Sequence, residues 1–60
     1  MDTMKTNIYI DFIKKVIASD GYQIADRANK EALAAKAITT DQYSKAASLI
    51  AQAFLDTIEV

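Results

Sequence analysis

The sequence predicts a single all-α domain, either a small three-helix bundle or a helical array completed by oligomerisation. The 60 residues contain no Pro, one Gly and 11 Ala, a composition that favours helix. Apolar residues recur at helical spacing in three segments. Only two short breaks separate these segments, as is typical of neighbouring antiparallel helices. We therefore expect one helical domain covering residues 1–60.

The first segment predicts a helix from about residue 3 or 4 to residue 19. Its core-facing stripe has the spacing of successive helical turns and consists of Tyr9, Phe12, Ile13, Val16 and Ile17. Ile8 and Ile10 widen the apolar face beyond what one partner helix covers, which indicates two neighbours or a second subunit. A strand is the alternative because Ile8, Ile10 and Phe12 alternate, but adjacent apolar pairs farther along break that period.

The first break, Asp20-Gly21, separates this segment from a second helix predicted from residue 22 or 23 to residue 36. Gly21 stands where a left-handed C-terminal cap is needed, and Asp20 with Gln23 matches a capping box. The predicted buried face of the second helix is narrow and consists of Ile24, Ala25, Ala28, Ala32 and Ala35. Charges spaced four residues apart mark its solvated face, as the pairs Asp26 with Lys30 and Arg27 with Glu31.

The second break carries the clearest local signal. Thr39 and Gln42 form a capping box, and Ile38 with Tyr43 matches a hydrophobic staple, so a third helix is expected from Thr40 to about residue 58. Its predicted seam is Tyr43, Ala47, Ile50, Phe54 and Thr57, flanked by Ala46, Leu49 and Ala53.

The aromatic side chains divide into two groups by spacing. Four have the spacing of core residues, namely Tyr9, Phe12, Tyr43 and Phe54. Tyr22 lies at a helix junction and fits either the core or the edge of an interface.

The composition argues against catalysis and metal binding. There is no Cys or His, which excludes thiol chemistry, imidazole acid–base catalysis and the usual zinc sites. The carboxylates are spread singly, no Gly-rich phosphate loop is present, and so small a bundle lacks room for a typical pocket of about 300 Å³. We expect no catalytic residue, no cofactor, no metal and no small-molecule substrate.

The charge balance argues against nucleic acid and membranes as partners. A net charge of -1 lacks the basic excess that binding to phosphates needs. The alternative is a helix-turn-helix, with base contacts from Gln42, Ser44, Lys45 and Ser48. The longest apolar stretch is interrupted by charges and is too short to cross a bilayer. We expect no signal peptide and a cytoplasmic location.

Residues 37–50, AITTDQYSKAASLI, resemble the second half of the short helical hairpin of SHOCT-type modules and XkdX-like phage tail-region proteins. The shared elements are Ile38-Thr39, Asp41-Gln42, Tyr43 and Ile50. Those families often have a Gly just before the Ile-Thr pair, where this chain has Lys36-Ala37. The resemblance implies a small non-catalytic helical protein of bacterial or phage origin that self-associates or docks on a larger protein.

The apolar surface on all three predicted helices exceeds what three short helices bury among themselves. The sequence therefore predicts a protein–protein interaction or assembly module, a homo-oligomer whose partner is itself and/or a larger protein. The alternative is a small DNA-binding or transcription-modulating module. The residues predicted to form the interface are Ile8, Ile10, Leu33, Leu49, Leu55 and Ile58.

Overall fold

The computed structural model describes residues 2–58 and shows three helices, with no strand in that range. They are α1 (Asp2–Asp20), α2 (Tyr22–Ala34) and α3 (Thr40–Ile58). Each helix contacts the other two. The bundle measures 39 × 21 × 18 Å along its principal axes. The all-α prediction is confirmed, and the helices form a three-helix bundle.

Contacts between distant residues give the helix directions. Tyr9 on α1 contacts Asn29 on α2, and Asn29 in turn contacts Tyr43 on α3. Near the other end of the bundle, the start of α2 meets the end of α3, where Tyr22 packs on Phe54. The chain therefore runs up, down and up, which places α1 and α3 parallel to each other and antiparallel to α2.

Gly21 alone separates α1 from α2. Its φ of 97° and ψ of 165° lie in a region open essentially to Gly, so the positive φ expected there is confirmed although the left-handed helical ψ is not. Its N–H donates to the carbonyls of Val16 and Ile17 at 3.2 and 3.1 Å. The predicted Asp20–Gln23 capping box is wrong, because Asp20 is still part of α1 and Gly21 occupies the N-cap position of α2.

α2 ends at Ala34, before the predicted residue 36, because Lys36 adopts a left-handed conformation with φ of 60°. The Ala37 N–H donates to the Ala32 carbonyl and the Lys36 N–H to the Leu33 carbonyl, both at 2.9 Å. These two bonds form a Schellman motif, in which Lys36 occupies the position that usually belongs to Gly.

α3 begins at Thr40, as the capping box predicts. The Thr39 N–H donates to Oε1 of Gln42 at 2.8 Å, and the Gln42 N–H donates to Oγ1 of Thr39 at 3.1 Å. The local sequence signal is confirmed in full because a capping box involves only residues within one turn of each other.

Two exposed ion pairs lie along the outer faces of α2 and α3. Lys30 pairs with Asp26 at 2.9 Å and Lys45 pairs with Asp41 at 3.3 Å. The hydrogen bond to Asp26 and its charge raise the pKa of Lys30. The predicted pair of Arg27 and Glu31 does not form. The Asp26–Lys30 and Asp41–Lys45 contacts are the salt bridges among residues 4–58, whose side chains the structure describes.

The core contains few large side chains. Its fully or almost fully buried apolar residues are Ile13, Ala25, Ala46 and Ile50. Half-buried hydrophobic residues pack around them, namely Tyr9, Ile10, Val16, Ile17 and Tyr22. Two of the four buried residues are Ala, so the fully buried core holds little side-chain volume, and much of each apolar stripe is only half-buried or exposed.

Several residues predicted for the core lie outside it. Phe12 and Phe54 are 51% and 43% exposed, and Ile24 is 44% exposed. Ala35 and Thr57 are also exposed. On α3 the buried residues are Ile50, which belongs to the predicted seam, and Ala46, which belongs to the predicted flanking row. The buried face is therefore shifted toward the flanking row, and Phe54 lies at the edge of the bundle.

Candidate interaction surface

Large apolar side chains are more numerous on the surface than in the core. The exposed ones among the described residues are Met4, Ile8, Phe12, Ile24, Phe54, Leu55 and Ile58. Three of them follow one another along α1, and we call Met4, Ile8 and Phe12 the outer stripe. Three others lie close together on α3, and we call Phe54, Leu55 and Ile58 the α3-end patch.

The outer stripe is a continuous row on α1. Met4, Ile8 and Phe12 are 70%, 64% and 51% exposed. Residues four apart lie above one another on a helix, so the row extends about 12 Å over two turns. Ile13 on the opposite side of α1 is completely buried. α1 is therefore apolar on both sides, a pattern typical of helices that are covered all round.

Charged residues border the outer stripe. Lys5 follows Met4 and Asp11 precedes Phe12, and both side chains are exposed. At 100° per residue, Lys5 lies on one side of Ile8 and Asp11 on the other. Lys15, also exposed, lies one turn beyond Phe12 almost in line with the stripe. The stripe thus has an apolar centre bordered by two basic residues and one acidic residue, as is common at the polar rim of protein interfaces.

The α3-end patch has a different charge environment. Leu55 and Ile58 are 45% and 58% exposed, and the Phe54 ring packs edge-on against Tyr22 at 5.4 Å. The nearest charge along the helix is Asp56, whose carboxylate accepts a hydrogen bond from Gln52 at 3.1 Å. After Lys45 the sequence contains no basic residue. This patch is apolar and acidic.

The residues predicted for the interface divide into two groups. Ile8, Leu55 and Ile58 are exposed. Ile10, Leu33 and Leu49 are only half-buried, and Ile10 packs against the core, so it supports the fold more than it offers surface. That these residues bind a partner remains a prediction.

Sequence reasoning missed two members of the outer stripe. It assigned Phe12 to the core and gave Met4 no role, although their four-residue spacing around Ile8 is visible in the sequence. The signal was ambiguous because this row runs beside the core stripe of the same helix, and spacing does not say which row faces inward.

The inner side of α1 is held by a buried polar residue. Asn29 on α2 is completely buried; it accepts a hydrogen bond from the Tyr9 hydroxyl and donates one to the Tyr43 backbone carbonyl at 3.2 Å. One side chain thereby joins all three helices. Burial raises the pKa of Tyr9, which favours the neutral phenol that donates this bond. Sequence reasoning missed Asn29, although it lies on the small-residue face of α2, four residues after Ala25.

A partly open cleft of about 520 Å³ lies where α1 meets the connection between α2 and α3. The prediction that the bundle lacks room for a pocket of about 300 Å³ is therefore wrong. The reason is that α2 ends at Ala34 and the connection leaves space beside α1. The residues that line the cleft include Lys5, Thr6, Lys36, Asp41 and Gln42. Across it, Nε2 of Gln42 makes a weak contact of 3.5 Å with Oγ1 of Thr6.

The side chains predicted to read DNA are partly engaged within the chain. Gln42 bonds with Thr39, and Lys45 pairs with Asp41. Ser48 donates to the Ser44 carbonyl at 3.3 Å. All but Gln42 are exposed, yet Lys45 is the only base among them and is already paired.

The described residues hold no group of three or more acidic, His or Cys side chains that could bind a metal ion. Among helices α1 to α3, as far as they are described, none combines the length and apolar character needed to cross a membrane. No family model matches the chain, and no curated protein or solved structure matches it.

Proposed function

We propose that this chain is a small non-catalytic helical module that acts by protein–protein association, either as a homo-oligomer or by docking on a larger protein. The observation that carries the proposal is the outer stripe. Three large apolar side chains, each more than half exposed, lie on the side of α1 away from the core. Covering such a row removes apolar surface from water, which is the main driving force of association.

The total surface area supports association. The chain exposes 4481 Å², whereas a compact 6.6 kDa monomer is expected to expose about 3,900 Å². The chain therefore exposes about 600 Å² more than that compact value. The elongated shape of the bundle, 39 × 21 × 18 Å, contributes to this excess, and so does the exposed outer stripe.

The resemblance of residues 37–50 to SHOCT-type and XkdX-like hairpins supports the same proposal. It suggests a bacterial or phage origin and an assembly role, and a cytoplasmic location belongs to the same proposal. The DNA-binding alternative has less support, because the predicted reading helix carries one basic side chain and that side chain is paired.

Light scattering over a wide range of micromolar concentrations tests the proposal. We expect the wild-type mass to rise from one copy to two or more, and Ile8→Asp to remain a folded monomer with unchanged helical circular dichroism. Ser48→Asp, which adds the same charge at an exposed site outside both apolar surfaces, is the control and should associate like wild type. A wild-type chain that stays monomeric throughout contradicts self-association.

A titration with a DNA duplex at low and physiological salt tests the alternative. The proposal expects no saturable binding. Binding that weakens steeply as salt rises would instead support a phosphate-binding module.

A further inference from the structure

We propose that the cleft between α1 and the α2–α3 connection binds a small organic anion, a carboxylate that carries a short alkyl chain. The cleft has a volume of about 520 Å³, which is within the range of small-molecule sites in proteins. No residue of the outer stripe lines it. The inference therefore goes beyond the proposed association and does not depend on it.

Two lysines give the cleft its positive charge. Lys5 comes from α1 and Lys36 from the connection. Among residues 4–58, neither of them forms an ion pair with a carboxylate. The acidic residue in the lining, Asp41, is already paired with Lys45 at 3.3 Å. Two bases against one acid leave a net formal charge of +1 on the lining, which suits a single carboxylate better than a doubly charged phosphate.

The side-chain amide of Gln42 adds a hydrogen-bond donor to the same space. Its Oε1 accepts the Thr39 N–H at 2.8 Å, and this bond fixes the orientation of the amide and directs Nε2 toward Thr6. The distance from Nε2 to Oγ1 of Thr6 is 3.5 Å, the outer limit for a hydrogen bond. An amide nitrogen carries two hydrogens, so Nε2 can donate to Thr6 and to a carboxylate at the same time.

The backbone of Lys36 gives an independent reason to assign its side chain a role. Its φ of 60° is left-handed, a conformation in which a Cβ is costly and Gly is preferred. The chain has a base at this position although Gly would stabilise the fold. A residue that is unfavourable for its local backbone is typical of a functional site. Because Lys36 lines the cleft, binding of an anion accounts for its presence.

The apolar part of the ligand follows from the next two residues. Ala37 and Ile38 line the cleft and come directly after Lys36 in the chain. Consecutive Cα atoms are about 3.8 Å apart, so a ligand whose carboxylate contacts Lys36 reaches both residues with an alkyl chain of a few carbons. The lining thus combines basic groups, a fixed donor and a small apolar surface.

Titration with hexanoate, followed by NMR shifts of backbone and side-chain amides, tests the proposal. We expect saturable shifts at Ala37, Thr39 and the Nε2 group of Gln42. Hexanamide has the same chain without the charge and should bind roughly tenfold more weakly, because both lysines lose their partner. Acetate should also bind more weakly, since it lacks the alkyl chain. Equal binding of hexanamide overturns the anion site, and binding of inorganic phosphate in place of hexanoate overturns the ligand class.

Lys36→Gly separates binding from folding. This variant should be more stable than wild type and yet bind hexanoate about two- to fivefold more weakly. Lys5→Gln should weaken binding to a similar extent. Lys14→Gln, which removes an exposed base of α1 outside the cleft, is the control and should bind like wild type. Unchanged affinity of Lys36→Gly, or an equal loss in Lys14→Gln, overturns the proposal.

Discussion

The two sides of α1 are almost equally apolar, yet one side is core and the other is surface. Ile13 on the inner side is completely buried, whereas Ile8 on the outer side is 64% exposed. The inner side differs in having Tyr9, whose hydroxyl bonds to the buried Asn29 of α2. A specific polar contact, together with small residues opposite, marks the inner side, because a buried Asn is stable only where its partners are in reach.

The comparison shows that the apolar residues of α1 determine how much apolar surface must be covered, but they do not determine which element covers it. The inner side is covered by α2 and α3. The outer side offers three apolar side chains and three border charges that the described chain leaves in solvent. The predictions below test this difference, beginning with the largest expected effect.

Matched Ile→Ala substitutions test the comparison most directly. Ile13→Ala should lower the free energy of unfolding by about 2–5 kcal/mol, a large part of the stability of so small a domain. Ile8→Ala should change the unfolding of the monomer by less than about 0.5 kcal/mol and act mainly on association. Urea denaturation followed by circular dichroism at several protein concentrations measures both. Equal losses in the dilute monomer would show that the two sides do not differ.

Removing the polar contact should have the next largest effect. Asn29→Ala should cost about 1–3 kcal/mol, because the half-buried Tyr9 hydroxyl loses its acceptor and the Tyr43 carbonyl loses its donor. Tyr9→Phe should cost less, and the double variant should cost less than the sum of the two. Urea denaturation of the four chains in a double-mutant cycle gives the coupling. Additive losses would mean that the two side chains do not stabilise each other.

One substitution in the α2–α3 connection should stabilise the monomer without touching either side of α1. Lys36→Gly should raise the free energy of unfolding by up to about 1 kcal/mol, because Gly tolerates the left-handed backbone at this position. The control Lys30→Gly, within α2, should lower it by about 1 kcal/mol. Thermal unfolding of both variants provides the test, and destabilisation by Lys36→Gly would contradict the Schellman geometry.

Alkaline pH should weaken the inner side slightly. Burial raises the pKa of Tyr9 above the ordinary value of 10.0, so the folded state favours the neutral phenol. That contribution is present below pH 10 and is lost as the pH rises through the folded pKa. The raised pKa of Lys30 acts in the same direction. The free energy of unfolding measured against pH for wild type and Tyr9→Phe separates the contribution of Tyr9 from that of Lys30. If this free energy falls equally steeply above pH 10 in both chains, Tyr9 has no role.

Much of the fold could be predicted from short-range patterns. The start of α3 depends on Thr39 and Gln42, which contact each other within one turn, so the sequence alone located it. The Asp20 capping box failed because its residues remain within or next to α1, whose last turn continues to Asp20. The end of α2 was predicted two residues too late, because no Gly or Asn in the sequence signals the left-handed conformation at Lys36.

The candidate interaction surface was predicted only in part. Ile8, Leu55 and Ile58 were chosen and are exposed, whereas Met4 and Phe12 were not chosen. Whether Met4 and Phe12 belong to the core or to the surface depends on how α1 is rotated about its own axis relative to α2 and α3. Because α1 has apolar residues on two sides, its sequence does not determine that rotation.

By itself, the sequence determined the helical class, the approximate helix bounds and the lack of Cys and His, because spacing, caps and composition act over a few residues. The tertiary structure decided which apolar row is core, because that choice depends on contacts between residues far apart in the chain. Asn29 bonds to residues 20 and 14 positions away. That contact accompanies the burial of Ile13, while Met4, Ile8 and Phe12 face outward.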